Sequence, residues 1–373
     1  MKHNPSRTDR LSWENRAVRL AVLLLSLLVS LLILERSVRE EAKPWQDIQL
    51  KAAQKTAEAF AAIREERLRR GDSFSPADDP NQTGLIGSPY TEITTTLGNL
   101  ESKRSTTNPN TAAMITDMLL SLGVKPGDTV AVSFSSSFPC LNTAVLCSLD
   151  VIGAEGIVVS SVGASSYGAN DPAFTWLDME HFLFSRGIIK NHSAYFSMGG
   201  SGDQGKEMPE ETKLTIRSRL ENFGLTFLDY EELGENIAAR ESIYFSENSG
   251  EGSSGPPAVF INAGGNLLSF GGGTELISAD NGILLPCSVP EEAGGLIPLF
   301  LRRDIPVIHL LNMKSLLPSY GLPVDPVPLP EVGSGGVYNE KTCSKALAAV
   351  LLVFNLGAAA LTLRGFPRRR LPL

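Results

Sequence analysis

Cysteine is scarce in this chain: Cys140, Cys147, Cys287 and Cys343 are the four in 373 residues. They form no Cys-x-x-Cys pair and have no zinc-like partner spacing, which argues against a metal cluster, and no metal site is expected. Cys140 and Cys147 are seven apart, so on one helix they share a face about two turns apart, too far to bond to each other. Buried free thiols are the default expectation, with a long-range disulfide to Cys287 open if that part of the chain lies outside the cytoplasm.

Positive charge is thin where most of the chain lies. Residues 1–35 hold five Lys/Arg against three Asp/Glu, and residues 345–373 hold five against none. Taken from totals of 33 and 41, these leave 23 basic and 38 acidic residues between 36 and 344, a net of −15. The summed field of so acidic a body repels polyanions, which argues against broad binding of nucleic acid or anionic lipid.

What is present begins with two apolar runs. Residues 20–34 (LAVLLLSLLVSLLIL) are uncharged, and with Ala17, Val18 and a snorkelling Arg19 they approach the ~20 residues that cross a bilayer. Glu35-Arg36-Ser37-Val38-Arg39-Glu40 follows in place of a small-x-small cleavage site, so an uncleaved signal anchor is preferred to a secretory signal. The second run, 346–363, is bracketed by Lys345 and Arg364 and followed by Arg368, Arg369 and Arg370. A buried helix of the body is its alternative. Arg7, Arg10, Arg16 and Arg19 precede the first span, so the positive-inside rule puts both tails in the cytoplasm and the acidic body outside the cell membrane. The expected order is a cytoplasmic tail (1–16), an anchor (17–35), a juxtamembrane helix and linker (36–86), a body (87–322), a Pro/Gly-rich linker (323–345), a second span (346–363) and a basic cytoplasmic tail (364–373).

Residues 127–183 set the fold class of the body. Two apolar strand candidates, 129–134 and 156–161, each run into a polar, small-residue loop and then a helical pattern. That is the grammar of an α/β fold, a mostly parallel sheet with flanking helices. Further strands are expected at 193–197, 225–228, 258–262 and 305–310. Helices are expected at 46–70, as a stalk or the first packing helix of the body, at 111–122 capped by Asn110, and at 210–223, 231–240 and 291–302. In such sheets ligands sit beyond the carboxyl ends of the strands, where helix N-termini present unpaired N–H groups.

Two loops fall on that edge. Ser135, Ser136 and Ser137, ahead of a helix starting near Pro139, either cradle a carboxylate or phosphate or form an ordinary hydroxyl-capped turn. This loop lacks the Gly-Lys-Ser/Thr ending of a P-loop, the Gly-x-Gly-x-x-Gly of dinucleotide folds and the Gly-x-Ser-x-Gly of hydrolase elbows. A nucleotide-binding dehydrogenase, suggested only by the GDTVAV strand, is demoted accordingly. Ser165 and Ser166 lie in the second loop. Lys103 and Arg104, set among hydroxyls, form an anion contact or, more commonly, a solvated turn. Asp178 and His181, three apart on a helix, share a face and are a candidate carboxylate–imidazole pair for acid–base or metal duty. The plainer reading has Asp171 capping that helix and Asp178 and Glu180 serving its dipole. Asn262, Gly264, Gly265 and Asn266 form either a ligand contact or a tight turn, as do the glycines of 199–205. His309, inside an apolar strand, reads as a satisfied core histidine. The catalytic candidates are thus Ser136, Ser137, Asp178 and His181. The ligand-contact candidates are Ser135, Ser136, Ser137, Lys103, Arg104, Ser165, Ser166, Asn262, Gly264 and Gly265, with no cofactor implied.

Five segments, TTTLGNLESKRSTTNPN (94–110), SSFPCLN (136–142), SSVGASSYGANDPAFTWLDME (160–180), GGSGDQGKE (199–207) and RRDIPVIHLLN (302–312), together resemble the poly-γ-glutamate system protein family. The resemblance covers roughly residues 87–320, and the terminal spans match in placement. It implies a membrane-anchored role in making, exporting or anchoring an anionic γ-linked glutamate polymer at the cell surface. The implied partners are the membrane-embedded subunits of a synthase and export complex and the polymer itself. It carries over no catalytic residues. ATP-dependent ligation is not expected, because no ATP-binding motif appears and the body is expected to face outward, where ATP is absent. Two classes stay open: a non-enzymatic accessory subunit, and an extracytoplasmic hydrolase or transferase acting on γ-glutamyl amide bonds.

Overall fold

The computed structural model describes residues 7–246, 255–265, 267–270, 281–286 and 294–364. Asn266, residues 271–273, Cys287, Glu291 and the Arg368, Arg369 and Arg370 run lie outside them. Two compact units divide the chain, residues 1–43 together with 339–373, and Pro44–Tyr338.

With elements numbered along the chain, the first unit holds α1 (Arg7–Ser37), β1 (Arg39–Ala42), β11 (Asn339–Thr342) and α12 (Lys345–Arg364). Its helices carry two stretches long and apolar enough to cross a membrane, Ala17–Ser37 at mean hydropathy 2.7 and Lys345–Thr362 at 1.8. Only 6% and 11% of these stretches is buried, unlike a helix of a protein core. Three polar residues of the two runs, Ser26, Ser30 and Asn355, satisfy each other. Ser26 Oγ donates to Asn355 Oδ1 (3.0 Å), and Asn355 Nδ2 donates to Ser30 Oγ (2.8 Å), which removes unpaired polar groups from an apolar helix pair. Strands β1 and β11 pair antiparallel, from Arg39 opposite Thr342 to Ala42 opposite Asn339.

The second unit opens with α2 (Gln46–Arg69), β2 (Thr94–Thr96), α3 (Leu100–Ser105), α4 (Thr111–Ser121), β3 (Thr129–Ser135) and α5 (Pro139–Ile152). Then come β4 (Glu155–Ser161), β5 (Ala164–Ser165), α6 (Trp176–Ser185), β6 (Ser193–Ser197), α7 (Glu210–Asn222), β7 (Thr226–Phe227) and α8 (Leu233–Phe245). It ends with β8 (Val259–Ala263), α9 (Leu267–Phe270), β9 (Gly282–Leu284), α10 (Leu296–Arg302), β10 (Val307–Leu310) and α11 (Met313–Ser319).

Among the described residues seven strands form one sheet in the order β7-β6-β4-β3-β8-β10-β9. Every neighbouring pair is parallel except β10 with β9. The chain winds outward from β3 through β4, β6 and β7, then returns to lay β8 and β10 on the other side of β3. At β3 and β8 the winding reverses, and such a reversal opens a crevice beyond the carboxyl ends of the two strands.

Every residue of β3 is buried because helices cover both faces of the sheet. Val130, Val132 and Phe134 share a core with Met114, Leu141 and Val145, while Ala131 joins Tyr244, Phe260 and Phe300 on the other face. Strand alternation then assigns Ser133 and Ser135 to the second face. Helix α2 is the first packing helix of the body, with Ala52, Ala53, Thr56, Ala59, Phe60 and Ile63 buried against α4 and α5.

Two expected caps are used differently. Asn110 does not cap α4. Its Oδ1 accepts from Tyr338 Oη (2.6 Å) and Gly333 N (3.0 Å) and its Nδ2 donates to Glu331 O (3.0 Å), fastening residues 331–338 to the body. Asp171 caps no helix either. It accepts from Ala173 N (2.8 Å), and α6 is closed by Asp178, whose Oδ2 accepts from Thr175 N (2.8 Å) and Oγ1 (2.7 Å).

Candidate functional site

The serine loop leaves the end of β3 and is stitched to its neighbours. Ser136 is fully buried, and its N and Oγ both donate to Ser161 O, at 3.1 and 2.7 Å. Asn142, one turn into α5, donates to Ser135 O (2.9 Å). Ser137 N donates to Ser135 Oγ (3.0 Å), and Ser137 Oγ accepts from Ser165 N (3.0 Å).

Lys103 lies behind this loop with 3% of its surface exposed. Its ammonium donates to Ser137 O and to Ser165 Oγ (2.8 Å) and stands 3.6 Å from the centre of the Phe138 ring. Burial disfavours the charged form and lowers its pKa to about 7. It is a structural amine under the loop rather than part of a solvated turn. Arg104 is turned to a different partner, holding Asp325 through a two-pronged ion pair with Nε 2.7 Å from Oδ1. Beside Lys103, burial pushes the Cys140 thiol up to about 12, so it stays neutral. Cys140 and Cys147 are free and buried, and Cys343 is free and exposed.

A cavity of about 250 Å³ lies at this edge, lined by Ser135 and Ser137 of the serine loop, Ser161 at the end of β4 and Gly265 just after β8. Thr95 and Thr96 add two more hydroxyls, and Gly163 and Gly200 bring backbone close. The two threonines arrive because β2 lies parallel to β5, with Thr94 opposite Ala164 and Thr96 opposite Ser165.

Ser201 and Glu207 make the remaining wall. Ser201 N donates to Glu207 Oε1 (3.0 Å) and Oε2 (3.2 Å), and Ser201 Oγ also donates to the carboxylate. Burial is the largest single influence and acts to raise the Glu207 pKa, but the bonds from Ser201, a backbone hydrogen bond of Glu207 itself and the Lys206 charge together outweigh it and hold the carboxyl below its ordinary value, hence ionised. Gly200 makes this approach possible: at its φ of 68° a Cβ would sit 2.5 Å from Glu207 Oε2.

Across the cavity Gly264 has φ 105°, and a Cβ there would lie 2.7 Å from Ser135 Oγ. Asn262 is buried and stiffens this turn. Its Nδ2 donates to Gly264 O (2.9 Å) and to His309 Nδ1 (3.0 Å), and its Oδ1 accepts from Ser269 Oγ (2.5 Å). Burial lowers the His309 pKa to about 4, so the ring is neutral, and its buried Nε2 meets no partner among the described residues. His309 is therefore a core histidine with one nitrogen satisfied by a described residue.

Of the residues singled out in the sequence, Ser135, Ser137 and Gly265 meet at the cavity, Lys103 and Ser165 stand behind Ser137, and Gly264 shapes the wall. The others are engaged elsewhere. Ser166 is buried and donates its N to Thr96 O (3.0 Å). Asp178 is gripped by Arg219, with Nε–Oδ1 2.8 Å and Nη2–Oδ2 3.0 Å. The His181 ring stacks on Phe223 at 3.8 Å between centres, so the carboxylate–imidazole pair is replaced by an ion pair and a ring stack.

Thr95 and Thr96 lie in the hydroxyl-rich stretch 94–110, and Ser201 and Glu207 lie in and beside the glycine loop 199–205, but none of the four stands out as a site residue in the sequence. One spacing does mark the last two. Gly200, Gly202 and Gly205 followed by Lys206 fit both Gly-x-Gly-x-x-Gly and Gly-x-x-x-x-Gly-Lys, between β6 and α7. Glu207 stands where a P-loop has its Ser or Thr, and its carboxylate takes the Ser201 amide, so the loop holds its own anion. Behind it Asp203, at φ 65°, pairs with Arg240 at 2.8 Å, both side chains no more than 1% exposed. Ser197 and Asn236 complete that network, and Arg240 Nη1 has no partner among the described residues.

Comparison with family models, with curated proteins and with solved structures finds no match for this chain.

Proposed function

We propose that this protein is a membrane-anchored component of a poly-γ-glutamate synthesis and export system, and that its α/β body binds the γ-linked glutamate chain in the cavity at the sheet's reversal point. The observation that carries this reading is the wall itself: six hydroxyl side chains and close backbone, backed at Ser137 by the buried Lys103 amine. Hydroxyls both donate and accept, so they suit a ligand that alternates amides with carboxylates. Lys103, partly protonated near neutrality, adds a local positive charge within a body that otherwise repels polyanions. In this reading α1 and α12 anchor the chain in the cell membrane with both termini in the cytoplasm and the body outside. Membrane-embedded subunits of the same system are its partners.

One distance favours a second reading, a hydrolase or transferase acting on γ-glutamyl amide bonds. Lys103 Nζ is 2.8 Å from Ser165 Oγ, and an amine with a pKa of about 7 is able to accept a serine proton. Ser165 is not part of the cavity wall, however, which places the simpler binding role ahead.

The test is calorimetric titration of the full-length chain in detergent micelles with γ-linked glutamate oligomers, using α-linked oligomers of equal length as control. Selective binding of the γ-linked series is expected. Equal affinity for both series, or none for either, contradicts the proposal. Chromatography of the same samples separates the second reading, since only a hydrolase leaves shortened oligomers.

A further inference from the structure

We infer that the cavity pairs a ligand ammonium with Glu207 while its hydroxyl wall meets the neighbouring carboxylate, so that the part of a γ-linked chain it holds is the amino-terminal residue. This rests on the reading of the ligand as γ-linked glutamate, and adds to it which end of the chain is recognised.

Glu207 is the reason. Its carboxylate lines the cavity, is ionised, and forms no ion pair among the described residues. Lys206 acts on it only at range, behind the hydrogen bonds from Ser201. Glu207 is exposed, but it is held in place. Ser201 N and Oγ hold both carboxylate oxygens, and the left-handed Gly200 leaves no room for a side chain between them and the backbone. A positioned carboxylate without a cation, facing a cavity, is complementary to an ammonium group and repels a second carboxylate.

The rest of the wall has the opposite character. Ser135 and Ser137 offer neutral hydroxyl donors, and the Lys103 amine stands behind Ser137. One side of the cavity thus suits a cation and the other an anion. In a γ-linked glutamate chain the internal residues carry an α-carboxylate and amides but no ammonium. Only the amino-terminal residue presents an ammonium and a carboxylate on the same carbon. Size agrees with one residue: about 250 Å³ lies below the roughly 300–1,000 Å³ of pockets that enclose drug-sized ligands.

The experiment titrates the full-length chain in micelles with γ-linked triglutamate and with the same peptide acetylated at its amino end, for the wild type and for Glu207→Gln. The glutamine still accepts from Ser201 N, and an unchanged thermal midpoint checks that the variant is folded. The wild type is expected to bind the free-amine peptide at least about tenfold more tightly than the acetylated one, and Glu207→Gln to lose that preference. Equal affinity of the wild type for both peptides overturns the inference while leaving γ-chain binding intact. A preference that survives Glu207→Gln also overturns it, because the amine is then read by another group. Failure of both peptides to bind the wild type defeats the underlying functional reading, and the inference falls with it.

Discussion

Replacing Lys103 by Met tests whether the serine loop rests on a buried amine. An unfolded chain holds a lysine proton to about pH 10.4, whereas Lys103 in the folded body gives it up at about 7. Between those values the unfolded state binds more protons, so the Lys103 contribution makes stability rise with pH, and below about pH 7 that dependence vanishes because both states are protonated. One proton corresponds to about 1.4 kcal/mol per pH unit, which gives roughly 2.5 kcal/mol between about pH 7.5 and 9.5. Other buried groups act in the opposite sense. Burial raises Cys140, Cys147, Tyr244 and Tyr338 to about 12, so the unfolded chain loses those protons first and stability falls as the solution becomes more alkaline. The difference between wild type and Lys103→Met cancels them. Urea unfolding of the full chain in micelles, followed by tryptophan fluorescence, should show the wild type gaining on the variant by that amount over the window. Parallel pH profiles for the two proteins would refute the assignment of Lys103 as a desolvated amine.

Arg240→Leu leaves the Asp203 carboxylate buried without its cation and is expected to cost about 3–5 kcal/mol in the same unfolding assay, with part recovered on adding Asp203→Asn. Gly264→Ala forces a side chain into a left-handed turn against Ser135 Oγ. It is expected to cost about 1–3 kcal/mol and to weaken γ-oligomer binding in calorimetry. Asn355→Leu removes the bonds to Ser26 and Ser30, worth about 0.6 kcal/mol each in a membrane helix pair. A cysteine pair engineered across α1 and α12 should then cross-link more slowly.

The centre of the fold was readable locally. An apolar run ends in three serines, and Pro139 opens the next helix, so β3, its loop and α5 follow from neighbouring residues alone. Gly123 and Gly127, at φ 84° and 85°, frame the turn into β3 as their spacing suggests. Contacts made over long sequence separations were not readable. Strands β2 and β5 are only three and two residues long, too short for an alternation signal, yet their pairing carries Thr95 and Thr96 to the cavity. Lys103 sits in a polar stretch that looks solvated, and its burial comes from Ser137, Phe138 and Ser165 on other elements. Arg240 and Asp203 are 37 residues apart, and nothing in either polar segment marks them as a buried pair. Asn355 stands out as a polar residue in an apolar run, but only the helix pairing shows that Ser26 and Ser30 receive it.

The central claim is that a γ-linked glutamate chain occupies the cavity at the reversal point of the sheet. Photo-cross-linking measures that directly, using the full-length protein in micelles, a γ-linked tetraglutamate with a free amino end and a diazirine on its second residue, and peptide mapping by mass spectrometry. The expected result is cross-linking to peptides bearing Thr95, Thr96, Ser135, Ser137 or Glu207, competed by unlabelled γ-linked oligomer and not by the α-linked one. Cross-links confined to other surfaces, or equal competition by the α-linked oligomer, would contradict the account.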